Sequence, residues 1–426
     1  MKLWDKGYTT NNIVDKYTTG KDRILDLKLA KHDVTGSIAH AKMLQGIGIL
    51  SEDELAAVLK GLSEIQKTID DGTFTIEDTF EDVHSKIEFE LVHKIGEAGK
   101  KIHTARSRND QVLVDLHLYT KAEIIEIKEG IKKLFDTLIE LSAKHKNVLI
   151  PGYTHLQVAM PSSFGLWFAS YAESLIDDVI LLNAAYKISN QNPLGSAAGY
   201  GSSFPINRTM TTELMEFETL KYNVVAAQMS RGRLEKTTAF AMASVSSTLS
   251  KMASDVCLYM SQNFNFLSFP KELTTGSSIM PHKQNPDVFE LLRAKSNKIQ
   301  NLPAEITLIT NNLTSGYHRD FQLLKENYME AIDTLKDNLE VANFMLQHVV
   351  VNENSVDDSI YDYMYSVEEV NKLVMSGMTF RDAYKKLGAE IFGGQFSPDK
   401  KVNHSHEGSI GNLCLKEIKH KFDSNY

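Results

Sequence analysis

Cysteine is nearly absent from this 426-residue chain. Cys257 and Cys414 are the only two, too few and too far apart for a disulfide framework or a thiolate zinc site. Basic charge is not in excess either. A formal net charge of -9, with no dense run of Lys or Arg, argues against nucleic acid as a partner. No stretch approaches the length of a membrane span, and the opening MKLWDKGYTT lacks the apolar run of a signal peptide. What is left is an ordinary globular composition, 42% hydrophobic and 24% charged, with a cytoplasmic location expected.

Proline is scarce and unevenly placed. All nine prolines fall between Pro151 and Pro398, and residues 1–150 and 304–397 contain none, which suits long uninterrupted helices. Leu113, Leu116, Ile124, Ile127, Ile131, Leu134, Leu138 and Leu141 recur at three- and four-residue steps, with Thr120 in the one gap. That heptad-like seam predicts a long helix packed against others. Residues 234–264 lack Gly and Pro and predict a second, roughly 45 Å long at 1.5 Å per residue. Residues 317–351 predict a third. Alternating strand patterns are scarce. The fold class expected is all-α, with a central bundle of long helices. Breaks near 105 and near 352, where VNENSVDD interrupts the apolar pattern, divide the chain into 1–105, 106–351 and 352–426. Long helices expose wide apolar seams, so oligomerisation is the default expectation.

Polar islands interrupt this pattern. In GKKIHTARSRNDQ (99–111), Ser107, Arg108 and Asn109 stand just before the seam. They read either as a solvated helix entry, capped by Ser107 or Asn109, or as a carboxylate-binding corner at a helix N-terminus. In PGYTHLQVAMP (151–161), Thr154, His155 and Gln157 lie between two prolines. His155 is either a structural hydrogen-bonder or a proton shuttle, imidazole being the side chain that titrates near neutrality. The glycine-rich PLGSAAGYGSSFPINR (193–208) fits neither a Walker A loop nor a dinucleotide fingerprint, so it reads as a tight loop or helix connection. TTGSSIMPHKQNPD (274–287) is a loop feeding a helix, with Asn285 as N-cap and Pro286 at the first helical position. Asp287 and Glu290 follow where the macrodipole favours negative charge. Tyr317, Gln322 and Lys325, in SGYHRDFQLLKE, sit roughly one and two helical turns apart.

Together these islands resemble the fumarase/aspartase superfamily, whose signature loop reads GSSxMPxKxNP. Within it, HTARSRNDQ, PGYTHLQ, GSSIMPHKQNPD and the Tyr317/Gln322/Lys325 spacing resemble the argininosuccinate lyase family, in its order. DVTGSIAHAKML and EDVHSKIEFEL resemble that family's N-terminal part, so the likeness covers about residues 1–395. It implies an all-α, three-domain subunit in a homotetramer built on a twenty-helix core, with each active site shared by three subunits. It also implies reversible cleavage of argininosuccinate to arginine and fumarate, with neither metal nor organic cofactor.

Such a β-elimination removes a proton beside a carboxylate, and the dianion that forms needs fixed cations and dipoles. By the resemblance Ser277 is the base, Lys283 stabilises the dianion and Asn285 helps bind the carboxylate. His155 stands on the acid side with Glu290 as its charge partner. Ser107, Arg108, Asn109, Thr154, Gln157, Tyr317, Gln322 and Lys325 lie at substrate-binding positions or in the same motifs. Three features depart from the family pattern. Gly20 stands where a substrate-contacting serine is usual. SRGRL (230–234) has Gly232 where an acid follows Arg231, and the stretch after Phe396 is short. The competing readings are a sister activity (adenylosuccinate lyase, fumarase or aspartase) and a non-catalytic, lens-type structural protein.

Overall fold

The computed structural model describes residues 11–426; the MKLWDKGYTT segment, and with it the signal-peptide expectation, lies outside them. The chain is mainly helical, as its proline-free stretches predict. The principal helices are α1 (Asn12–Thr19), α2 (Ala30–Gly46), α3 (Glu52–Asp70), α4 (Val83–Ile95), α5 (Arg108–Lys144), α6 (Phe164–Ser189), α7 (Arg233–Tyr259), α8 (Asp287–Gln300), α9 (Leu302–Thr310), α10 (Leu324–Gln347), α11 (Ser366–Met375), α12 (Phe380–Phe392) and α13 (Leu415–Asp423). Between α5 and α6 runs an antiparallel pair, β1 (Leu149–Thr154) and β2 (Gln157–Ser163). No helix among the described residues is long and apolar enough to cross a membrane.

The seam read from sequence is the buried face of α5. Leu113, Leu116, Ile124, Ile127, Ile131, Leu134, Leu138 and Leu141 are all buried. Thr120 occupies its gap because its hydroxyl finds a buried partner, Tyr328 Oη at 2.9 Å, so no polar group is stranded. The second long helix starts where expected and stops at Tyr259. The third is shorter than the sequence suggests. Gly316 takes φ +103°, and a 3₁₀ segment, Arg319–Leu323, precedes α10. Tyr317, Gln322 and Lys325 therefore sit in irregular chain, a 3₁₀ turn and an α-helix, not on one helical face.

The chain divides into two compact units. One comprises Met1–Ile127, Leu181–Ser244 and Ile299–Leu335. Its main core packs α2, α3 and α4 through Leu44, Val58, Leu62, Val83, Ile87 and Leu91, and Ser51 starts α3 with a capping box completed by Glu54. The other comprises Lys128–Ile180, Val245–Lys298 and Lys336–Tyr426. In it Phe135 stacks on Phe422 at 3.9 Å, and Trp167, Tyr171, Tyr259, Phe264 and Phe266 form an aromatic cluster. Burying rings of this size contributes most of such a core's apolar area.

Candidate active site

In the first unit, five of the residues singled out from sequence line one cavity of about 120 Å³: Arg108, Asn109, Tyr317, Gln322 and Lys325. Ser107 serves that wall as a cap. Its hydroxyl accepts from the Asn109 N–H at 3.3 Å, and its own N–H donates to Asp110 at 2.8 Å. The second oxygen of Asp110 accepts from the N–H groups of Gly195 and Ala197. The glycine-rich 193–208 segment is thus a tight loop fastened to this wall, one of the two forms its sequence allows. Gly195 (φ +84°) leaves no room for a Cβ, which would lie 2.8 Å from Arg208.

Charge is densely paired on the cavity walls. Arg108 donates to Glu81 at 2.9 Å and to Ser85 at 2.6 Å, and it lies 3.2 Å from Asp82. Arg319 bonds the other oxygen of Glu81 at 3.0 Å and the Thr18 carbonyl at 2.6 Å. Burial works against ionisation of Glu81, but its bonds to Arg108 and Arg319 hold its pKa below the ordinary value. Lys325 is buried between Asp22 at 2.7 Å and Asp26 at 2.6 Å. Burial opposes its charge, and the two carboxylates prevail, raising its pKa. Gln322 donates to the Thr18 and Thr19 carbonyls, which ties α1 to the rim.

Two departures from the family pattern find a physical account here. Gly20 ends α1 at φ +56°, and the side chain that this segment sends into the cavity is Asp22, two residues on. Arg231 is buried and matched by Glu235, 2.7 Å away and one turn on; Glu235 also accepts from the Gly232 N–H at 2.7 Å, and Arg231 donates to the Phe321 carbonyl. An acid at 232 is not needed for that pairing. Gly232 takes φ +80°, and a Cβ there would meet Thr310 at 2.9 Å.

Sequence reasoning passed over the groups at the back of this cavity. His84 lines it, bonded to Asp33 at 2.7 Å with Asp115 at 3.7 Å. Burial favours the neutral ring, yet Asp33, Asp82 and Asp115 push its pKa up to about 9. Burial and Asp33 in turn raise Asp115 well above the usual carboxylate range. The ligand atoms of Asp33, His84 and Asp115 lie within 4.8 Å of one another. An imidazolium already supplies the positive charge there, so the cluster balances without an ion. EDVHSKIEFEL carried a signal for it, an acid and a histidine two residues apart at the start of a helix.

The second unit holds the other predicted residues. The PGYTHLQVAMP segment is a β-hairpin. Thr154 pairs with Gln157, and the two turn residues, His155 and Leu156, take φ +53° and +58°, the values of a type I′ turn. Tyr153 packs its ring on Phe264 at 5.5 Å and so anchors the hairpin, while Thr154, His155 and Gln157 stand exposed at its tip. The signature loop is also open. Ser277 Oγ accepts from the N–H groups of Ile279 and Met280 at 3.3 and 3.2 Å, a small turn that holds the hydroxyl in place. Asn285 does not cap α8. Its N–H donates to the Thr275 carbonyl at 2.8 Å and its amide to Gly276 at 3.3 Å, closing the base of the loop. Lys283 and Glu290 are exposed, and no ion pair links Glu290 with His155 among the described residues.

Comparison with known proteins follows the same lines. A sequence model of the Lyase family matches residues 8–301. Argininosuccinate lyase of Bacteroides fragilis is 57% identical over 98% of this chain and 94% of its own length. That of Parabacteroides distasonis is 58% identical over the same shares, and that of Thermotoga neapolitana 40% identical over 92% and 98%. Among solved structures, EDDS lyase in complex with formate superposes with a TM-score of 0.78 at 20% identity, covering 98% of this chain and 90% of that one. Fumarate lyase:delta crystallin from Brucella melitensis gives 0.75 at 16%, covering 94% and 91%. The ordered motifs and the near-complete coverage of these relatives place the chain in the argininosuccinate lyase family of the fumarase/aspartase superfamily.

Proposed function

We propose that this protein cleaves argininosuccinate to arginine and fumarate by β-elimination, reversibly and without metal or organic cofactor. The observation that carries the reading is the convergence of Arg108, Asn109, Tyr317, Gln322 and Lys325 on one cavity in a chain 57% identical to an argininosuccinate lyase across nearly its full length. Ser277, as alkoxide, takes the proton from the carbon beside the carboxylate. The electron pair left behind forms the double bond of fumarate as the bond from carbon to the guanidino nitrogen breaks. Lys283 faces the dianion that develops, and Asn285 and Thr154 help to hold its carboxylates. His155, with Glu290 as its charge partner, delivers a proton to the departing nitrogen, and arginine leaves. Ser107, Arg108, Asn109, Gln157, Tyr317, Gln322 and Lys325 bind or position substrate. The open signature loop closes over the substrate, because a serine alkoxide is effective only where water is excluded.

The working form in this reading is a homotetramer whose sites are completed between chains. The support is that His155, Lys283 and Glu290 stand exposed in a single chain, and that the long helices carry exposed apolar side chains along their lengths. Phe240 on α7 is 57% exposed and Leu291 on α8 is 60% exposed, with Ile125, Leu181 and Phe344 on α5, α6 and α10. Unpartnered apolar surface of this kind marks an interface. The cytoplasm is the location this reading assigns. Fumarate release, followed as rising ultraviolet absorbance, tests the activity with argininosuccinate set against adenylosuccinate, malate and aspartate. Turnover of argininosuccinate alone is the expected result, and release only from one of the others would transfer the chain to a sister activity.

A further inference from the structure

The triad at the bottom of the cavity has two carboxylates for one ammonium. Lys325 is matched to Asp22 and Asp26 together, and Arg231, the other cation acting on Asp22, is already matched by Glu235. One negative charge is in excess, at a place where desolvation makes an uncompensated charge costly. Asp26 is poorly placed to offer it to a ligand. Its side chain is 2% exposed, and its second oxygen accepts from the Val83 N–H. Asp22 keeps 13% of its side-chain surface and lines the cavity.

The carboxylates of the facing walls are already paired with cations, while Arg108 keeps a buried Nε without a partner among the described residues. Arg108 and Arg319 share Glu81, and Asp82 lies between Arg108 and the imidazolium of His84. The cavity therefore presents one open carboxylate beside a wall of guanidinium and amide donors. That amphoteric surface matches an amino-acid end, with its ammonium next to a carboxylate.

We infer that Asp22 is a specificity-determining residue whose carboxylate accepts the α-ammonium at the arginine end of argininosuccinate, so that the cavity selects ligands carrying an ammonium. This rests on the proposed substrate. The guanidinium is the poorer candidate for the same contact, because its nitrogen is the leaving group and must lie at the bond that breaks. Burial and Asp26 push the Asp22 pKa up to about 6, against the pull of Lys325 and Arg231. Below that pH the carboxyl becomes neutral and the attraction to an ammonium is lost.

The test uses the whole protein and two ligands of the same length, arginine and 5-guanidinopentanoate, which lacks only the α-ammonium. Titration calorimetry should show wild type preferring arginine by about 10- to 100-fold at pH 7.5, the range of a charge-assisted hydrogen bond. That preference should shrink as pH falls below about 6, following the shift already described. Asp22→Asn should erase the preference by weakening arginine alone, and with it the pH dependence. Equal weakening of both ligands, or a preference that survives the substitution, overturns the assignment. If Asp22→Asn fails to fold, the wild-type preference and its pH dependence decide the matter, and an absent preference is fatal to it. A wild type that selects arginine yet releases no fumarate overturns the proposed activity while leaving the Asp22 assignment standing.

Discussion

Lys325 Nζ lies 2.6 Å from Asp26 Oδ1, and both side chains are buried. This ion pair fastens the first turn of α10 to the 3₁₀ turn that contains Asp26. Of the two partners it is the lysine that cannot be removed without leaving charge stranded, because Asp22 is its second carboxylate. Lys325→Ala leaves the buried carboxylate of Asp26 beside the half-buried one of Asp22, so it should destabilise the fold by about 3–5 kcal/mol as well as remove substrate binding. Urea unfolding would show this. A variant with wild-type stability and lost activity would mean that the pair acts on substrate alone.

Buried imidazoles set two opposed limbs in the dependence of stability on pH. His84 is held at about 9 by Asp33, Asp82 and Asp115 against the effect of burial. Between pH 6.5, the ordinary imidazole value, and about 9, the folded protein keeps a proton that the unfolded chain has lost. The stability His84 contributes is therefore complete below pH 6.5 and lost as pH rises through 9. Burial lowers His32 and His40 to about 3 and His117 to about 4, and these contribute stability above pH 6.5 that is lost as pH falls. Melting temperature from pH 7 to 9.5 should drop less steeply in His84→Gln than in wild type. From pH 6.5 down to 4.5 it should drop less steeply in His117→Gln. Parallel curves in either window would show that the ring named does not drive that limb.

Ser277→Ala and His155→Asn should each lower turnover by about 100- to 10,000-fold, the usual loss when a positioned base or acid is removed. Both should leave helix content and assembly unchanged. Among the described residues Ser277 Oγ bonds to N–H groups two and three residues on, and His155 stands at a hairpin tip. Near-normal turnover by purified Ser277→Ala would exclude Ser277 as the base.

Activity should survive exhaustive dialysis against a chelator. The donor cluster of Asp33, His84 and Asp115 is balanced by the imidazolium itself, and a divalent ion would have to displace that proton. Loss of turnover under chelation, restored by one divalent ion and by no monovalent salt, would show the opposite.

How legible the sequence was depended on how local each signal is. The α5 seam was plain because each of its apolar residues meets the core on a fixed period. A cap at the start of α5 was legible too, because its partners lie within three residues, but the sequence left it open between Ser107 and Asn109. The hairpin around His155 was not. Pro151 and Pro161 stand opposite each other in the ladder, and proline normally argues against strands. The turn takes positive φ at His155 and Leu156, where glycine or asparagine is the usual signal. Asn285 misled for a similar reason. Asn-Pro reads as a helix start, but the asparagine is drawn to Thr275 and Gly276 across the loop. Asp22 and His84 act through partners far along the chain, Lys325 and Asp115 among them, and no spacing rule reports such contacts. The resemblance placed the motif residues in a common function; it did not place these.

The last expectation concerns assembly. If His155 and Ser277 reach one site from different subunits, two inactive proteins should restore each other. His155→Asn and Ser277→Ala are mixed, dissociated and reassociated into hybrid tetramers. A site is whole only when its His155 comes from a Ser277→Ala chain and its Ser277 from a His155→Asn chain. With equal and random mixing each condition holds half the time, so roughly a quarter of the sites of a closed symmetric tetramer should be intact. Recovery near that fraction of wild-type turnover, with wild-type KM, supports a shared site, because the intact sites carry every native group. Hybrids verified by mass that stay as inactive as their parents would place both residues in one chain. The exposure of His155, Lys283 and Glu290 would then have to be covered by closure of the chain's own signature loop.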